Sequence, residues 1–167
     1  MTVKKRLKTI LIAATACALA ACSGSNDGTC YKERNVVAGV ALYKAEYSDS
    51  QESYVLSSTT EQITVQGLDN DSTLYKATSL SSFSLPLRIK ADSSVFVLQR
   101  DSTGTDTLTI FHTNENNFIS MECGCFVFHT IKDVQATANQ IDSVVLLETR
   151  VENVSNTHLR LYYRVKK

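Results

Sequence analysis

The segment His158-Leu159-Arg160-Leu161-Tyr162-Tyr163-Arg164-Val165 places apolar side chains at every second position. Leu159, Leu161, Tyr163 and Val165 share one face, and His158, Arg160, Tyr162 and Arg164 share the other. A period of two is that of a half-buried β-strand. No stretch of the chain holds a 3.6-residue apolar period over three turns, so helical layers are excluded. Leu85, Leu87 and Ile89 alternate around the single proline, Pro86. Proline cannot donate to a ladder, which predicts an edge strand or a bulge there. Leu108 and Ile110 alternate after Thr103-Gly104, which reads as the turn that separates them from a strand over 94–100. Residues 118–131 put Ile119, Met121, Cys123, Cys125, Val127 and Ile131 on one face, with Gly124 bending or bulging the run midway. Further strands are predicted over 36–47, 53–58, 62–67, 74–78 and 143–151. Nine or ten short strands separated by Asp, Asn, Ser and Gly predict an all-β chain folded as a single antiparallel β-sandwich, immunoglobulin-like or related.

The first thirty residues have another character. Lys4, Lys5, Arg6 and Lys8 precede an apolar run from Thr9 to Ala20. Twelve helical residues reach about 18 Å, well short of a hydrocarbon core roughly 30 Å thick. The run therefore reads as the h-region of a signal peptide over 1–21. Leu19-Ala20-Ala21-Cys22 matches the lipobox of bacterial lipoproteins, which makes Cys22 the predicted lipidation site. Two acyl chains give stable anchoring, at about 0.8 kcal/mol for each buried methylene. Ser23 follows the cysteine where an aspartate would signal inner-membrane retention, so the outer membrane is the expected address. Ser23-Gly24-Ser25-Asn26-Asp27-Gly28 forms, with Cys22, a tether over 22–29 of about 20 Å at full stretch. The domain then spans 30–167. The tether has no strongly acidic run of the kind that signals surface display, so the domain is expected to face the periplasm.

Four of the seventeen basic side chains lie before residue 9, so a chain cut before Cys22 keeps thirteen against seventeen acidic ones. No basic cluster follows residue 9, and nucleic acid is excluded as a partner. Cys30, Cys123 and Cys125 remain after cleavage and lipidation, and in an exported chain a disulfide is the default. Cys30 pairs with Cys123 or with Cys125, and the third cysteine becomes a buried thiol. The alternative is a soft-metal half-site of Cys123, Cys125 and His129. A structural zinc site wants four ligands, usually as two close pairs, and no second pair is present.

The chain carries no catalytic signature. There is no Gly-x-Ser-x-Gly elbow, and His112, His129 and His158 lie on strands explained by packing. A Cys125–His129 dyad would span about 13 Å along a strand, too far for contact without a bend. Asp69-Asn70-Asp71 offers hard oxygens for Ca(II) but lacks the glycine and glutamate of an EF-hand loop, and such clusters mark turns. Tyr31, Tyr43, Tyr47, Tyr54 and Tyr75 offer an aromatic platform for sugar stacking, weakened by the absence of tryptophan. No cofactor is implied.

Several further segments carry a resemblance. They are Ser84-Leu85-Pro86-Leu87-Arg88, Asp106-Thr107-Leu108-Thr109-Ile110 leading into Glu122-Cys123-Gly124, and Glu152-Asn153-Val154-Ser155-Asn156-Thr157-His158-Leu159, with a cysteine soon after the anchor. Together they resemble a family of uncharacterised small lipoproteins from Bacteroidota, classed only as a domain of unknown function. In that family an aromatic follows the Cys-Gly pair, so Cys123 matches the pattern and Cys125 departs from it. The resemblance therefore implies the pair Cys30–Cys123. It also implies O-glycan acceptors of the form Asp, then Ser or Thr, then an apolar residue or Thr. Thr107, Ser143, Ser72 and Ser102 fit. The expected role is a non-catalytic, outer-membrane-anchored structural or protein-interaction domain that docks another envelope protein. The alternative is a ligand-binding module for glycan or metal. The sequence does not fix the oligomeric state.

Overall fold

A computed structural model of the chain describes residues 30, 32, 34–51, 53–68, 72–100 and 104–164, the side chain of Arg164 excepted. All of the described strands lie in one compact unit, Lys32–Lys167. Its strands are β1 (Val37–Ser48), β2 (Ser53–Ser58), β3 (Glu61–Gly67), β4 (Ser72–Leu80), β5 (Ser82–Pro86), β6 (Ser93–Arg100), β7 (Gly104–Ser120), β8 (Gly124–Ala136), β9 (Ile141–Leu146), β10 (Arg150–Val151) and β11 (Thr157–Arg164). There is no helix among the described residues. One sheet runs β2-β1-β11-β9, with β5 pairing the first half of β1; the other runs β10-β8-β7-β6-β3-β4.

The alternation seen in the sequence builds the core between these sheets. Ala38, Val40 and Leu42 of β1 face Leu159, Leu161 and Tyr163 of β11 and Phe83 and Leu85 of β5 on the inner side of one sheet. Ile63, Val65, Phe96, Leu98, Leu108, Ile110 and Ile131 supply the other. Each fully buried Leu, Ile or Phe stabilises the fold by about 1.5–3 kcal/mol. The expected sandwich is present. Pro86 ends β5, which pairs with β1 alone, and the other edge of β5 is closed by a side chain. The Tyr75 hydroxyl accepts from Ser84 N–H at 3.1 Å and donates to Ser84 C=O at 3.3 Å.

The described strands number eleven, close to the nine or ten expected, because the run predicted over 143–151 divides into β9 and β10. Three finer expectations are corrected. The sandwich is not wholly antiparallel, since the first and last strands, β1 and β11, lie side by side in parallel. Residues 118–131 are not one strand. β7 ends at Ser120, a turn occupies 121–123, and Gly124 opens β8 at φ +72°, a conformation natural to glycine. The result is a long β7–β8 hairpin whose tip exposes Phe118 and Met121. Finally, His158 is 0% exposed rather than on the open face. It sits at the irregularity between β1 and β11, where its Nδ1 accepts Gly39 N–H at 2.9 Å and its Nε2–H reaches Arg150 C=O at 3.1 Å. Gly39 is required at this close approach, because a Cβ there would lie 2.1 Å from the Asn156 carbonyl oxygen.

Candidate functional site

Side chains on the outer face of the β2-β1-β11-β9 sheet follow from the registers. Tyr43 stands opposite Tyr162, Tyr47 opposite Tyr54, Ala45 opposite Leu56, and Arg160 opposite Val145. The rings of Tyr43 and Tyr162 are 5.5 Å apart and tilted, and those of Tyr47 and Tyr54 are 5.4 Å apart and edge-on. The Arg160 guanidinium lies 5.0 Å over the Tyr43 ring. Its Nε–H is buried without an acceptor. Tyr47, Tyr54, Leu56 and Val145 are exposed. Among the described side chains, such a face is an apolar, aromatic surface with Arg160 set into it.

The sugar platform read from sequence is brought together only in part. Tyr43, Tyr47 and Tyr54 share this face, joined by Tyr162 and Arg160. Tyr75 instead belongs to the other sheet, clamps β5 and packs edge-on against Phe83. Tyr31 lies outside the described residues.

A second cluster sits at one end of the core. Ser94 of β6 and His112 of β7 occupy inward positions, and both are buried. The Ser94 Oγ is 2.9 Å from His112 Nε2, and His112 Nδ1 is 2.9 Å from Asn114 Oδ1. The spacing reproduces a nucleophile–base–orienter chain. The surroundings are those of a clamp. Ser94 Oγ already accepts Arg88 N–H at 2.8 Å, and Asn114 Oδ1 also accepts from His129 Nδ1 at 2.7 Å. Asn114 Nδ2 donates to the carbonyls of Arg88 and Ala91, at 3.2 and 2.7 Å. Two imidazole N–H groups on one amide oxygen fix both rings in the Nδ1–H tautomer, with Ser94 O–H donating to His112 Nε2. The rings meet edge-on, 5.1 Å apart. Burial, reinforced by the neighbouring His112, pushes His129 down to about 4. Burial also lowers His112, against the raising effects of the Asn114 bond and Asp92 and together with Arg88.

Cys30 and Cys123 are disulfide-bonded, as the family pattern implied. Cys125 is the free thiol, and it is exposed rather than buried. The disulfide removes Cys123 from the metal set, since only a thiolate ligates. Cys125 and His129 do line one cavity of about 290 Å³ with Arg34, Leu87 and Phe126. Among the described residues no three metal-binding side chains gather. Of the O-glycan acceptors, Ser143 is exposed on β9, Thr107 and Ser72 are half-buried, and Ser102 lies outside the described residues. Cys22 and Asp69-Asn70-Asp71 also lie outside them.

Asp106 shows a role that the sequence pattern hid. It is 2% exposed and holds the turn from β8 to β9. Its Oδ1 accepts from Thr137 Oγ1 and Asn139 N–H, and its Oδ2 accepts from the N–H groups of Gln140 and Ile141, all within 2.8–3.0 Å.

Residues 62–163, more than half of the chain, match the model of a family described as a family of unknown function, DUF6452. No curated protein and no solved structure matches.

Proposed function

The chain belongs to the DUF6452 family, and from that premise we propose that it is a non-catalytic lipoprotein of a Bacteroidota cell envelope. In this account Cys22 carries the acyl chains, the outer membrane holds them, and the folded unit docks another envelope protein on the periplasmic side. The observation that carries the docking role is the outer face of the β2-β1-β11-β9 sheet. Its opposite side already closes the core, yet Val145 stays exposed beside Arg160, and Leu56, Tyr47 and Tyr54 stay exposed farther along the same face. Contiguous apolar surface of this kind marks interaction sites. The supporting sequence feature for anchoring is the lipobox ending at Cys22.

A ligand-binding role draws on one observation, the cavity that Cys125 and His129 share. With Cys123 oxidised, that wall offers at most one sulfur and one imidazole nitrogen. Docking is therefore the better-supported role. Growth with an alkyne analogue of palmitate tests the anchor. The wild-type protein should take up the label and stay with the membrane pellet, and Cys22→Ser should lose both. Equal labelling of the two would refute the anchor.

A further inference from the structure

Arg160 has something missing. Among the described residues its side chain forms no hydrogen bond and no ion pair; its guanidinium rests on Tyr43, and its Nε–H is buried with no acceptor. A buried donor left unmet costs about 1–3 kcal/mol, and more when the group is charged. Arginine presents its N–H groups as a rigid fork that matches a carboxylate. We propose that Arg160 is the anchor by which this face holds an acidic side chain of a partner protein. The proposal rests on docking through the same face and specifies the partner's chemistry.

Other occupants fit less well. A second copy offers no carboxylate at a paired outward position: the acids within these strands are Glu46, which bonds Lys44, and Asp142, at the irregularity of β9. Two such faces pressed together would set Arg160 chiefly among tyrosines, serines and the aliphatic Leu56 and Val145. A sugar chain needs a free aromatic face to lie on. Tyr43 already holds the guanidinium, and the Tyr47–Tyr54 pair stands edge-on at 75°. Leu56 and Val145 supply apolar contact that sugar hydroxyls cannot use. Tyrosine and arginine are among the residues enriched at protein–protein hot spots.

The test uses the full-length protein in living cells, with a photocrosslinking benzoylphenylalanine in place of Val145, which stands exposed and directly opposite Arg160. The captured protein is identified and the crosslink mapped by mass spectrometry. We expect the crosslink to map beside an Asp or Glu. Arg160→Glu should lower the yield by about tenfold or more, as for truncation of a desolvated charge pair. Reversing the mapped acid to Arg should restore capture by Arg160→Glu. Arg160→Gln, which keeps most of the side chain over Tyr43, guards against misfolding and should lower the yield as well. Capture that survives both Arg160 variants would overturn the role of Arg160 while leaving docking through this face intact. No capture from position 54, 47 or 145 would overturn both. A crosslinked product sensitive to glycosidase but not to protease would replace both with sugar binding.

Discussion

Replacing Asp106 should be among the most damaging single changes in this domain. The carboxylate is buried and meets one hydroxyl and three backbone N–H groups of the turn at 137–141. Asp106→Ala removes all four acceptor contacts at once. An unmet buried donor costs about 1–3 kcal/mol, so four would cost about 4–12 if none found water. The turn lies at the domain surface, with Asn139 exposed, so we take the lower end, about 4–5 kcal/mol. That is a large share of the roughly 5–15 kcal/mol that stabilises a typical domain. Asp106→Asn keeps one oxygen but turns an NH₂ toward the other donors, and should lose at least half as much. With seven tyrosines and no tryptophan, tyrosine fluorescence is the direct probe in urea unfolding at pH 7. Asp133→Ala, at an exposed position on β8, serves as the control and should change stability by less than about 0.5 kcal/mol. If Asp106→Ala loses less than about 1 kcal/mol, the carboxylate does not hold the turn.

Four further outcomes are expected. His129 titrates near 4 in the folded chain against 6.5 in the unfolded one, so the unfolded chain binds more protons between those values. Stability from this group is complete above about pH 6.5 and is lost as pH falls toward 4. It amounts to up to about 3 kcal/mol, and His112 acts in the same direction. Urea unfolding at pH 7 and pH 4.5 should show wild type losing more than His129→Gln, and equal losses would refute a buried neutral imidazole. Gly39→Ala places a methyl against the Asn156 carbonyl and should cost about 3 kcal/mol or more in the same assay; a change below 1 would mean that β1 and β11 part easily. Iodoacetamide under denaturing, non-reducing conditions should alkylate Cys125 of the mature protein and leave Cys30 and Cys123 unmodified until reduction. A fluorophosphonate probe should leave Ser94 unlabelled, because its Oγ is buried and accepts Arg88 N–H; labelling lost in His112→Ala would mean that the Ser94–His112–Asn114 chain is catalytic.

Strands whose two faces differ in polarity were readable from residue order alone. β2 falls where 53–58 was expected, and β1, β3 and β11 begin or end within a residue or two of their predicted bounds. The turn at 121–123 was hidden because Ile119, Met121, Cys123 and Cys125 continue the odd-numbered apolar pattern straight through it. Met121 gives the hairpin tip an apolar residue that nothing buries, and Gly124 was the one local sign of a turn. His158 was misplaced for a related reason. Alternation predicts an outward side chain, but the register shift beside Gly39 brings a long-range backbone partner to it. The parallel pairing of β1 with β11 joins strands more than a hundred residues apart, and no local pattern encodes such a choice.

The candidate sites divide in the same way. Tyr43 and Tyr47 could be assigned to one face because residues four apart on a strand point the same way, and Tyr54 joins them through the β1–β2 register. Tyr162 and Arg160 joined them only through the β1–β11 register. Ser94, His112, Asn114 and His129 carry no shared motif and converge because β6, β7 and β8 are neighbours.

The most direct test of the account is the mass of the N-terminal peptide from protein extracted with detergent from its native membrane. After reduction and tryptic cleavage, that peptide should begin at Cys22, end at Lys32, and carry a diacylglyceryl group with an added acyl chain. A peptide beginning upstream of Cys22, or a Cys22 bearing no lipid, would contradict it.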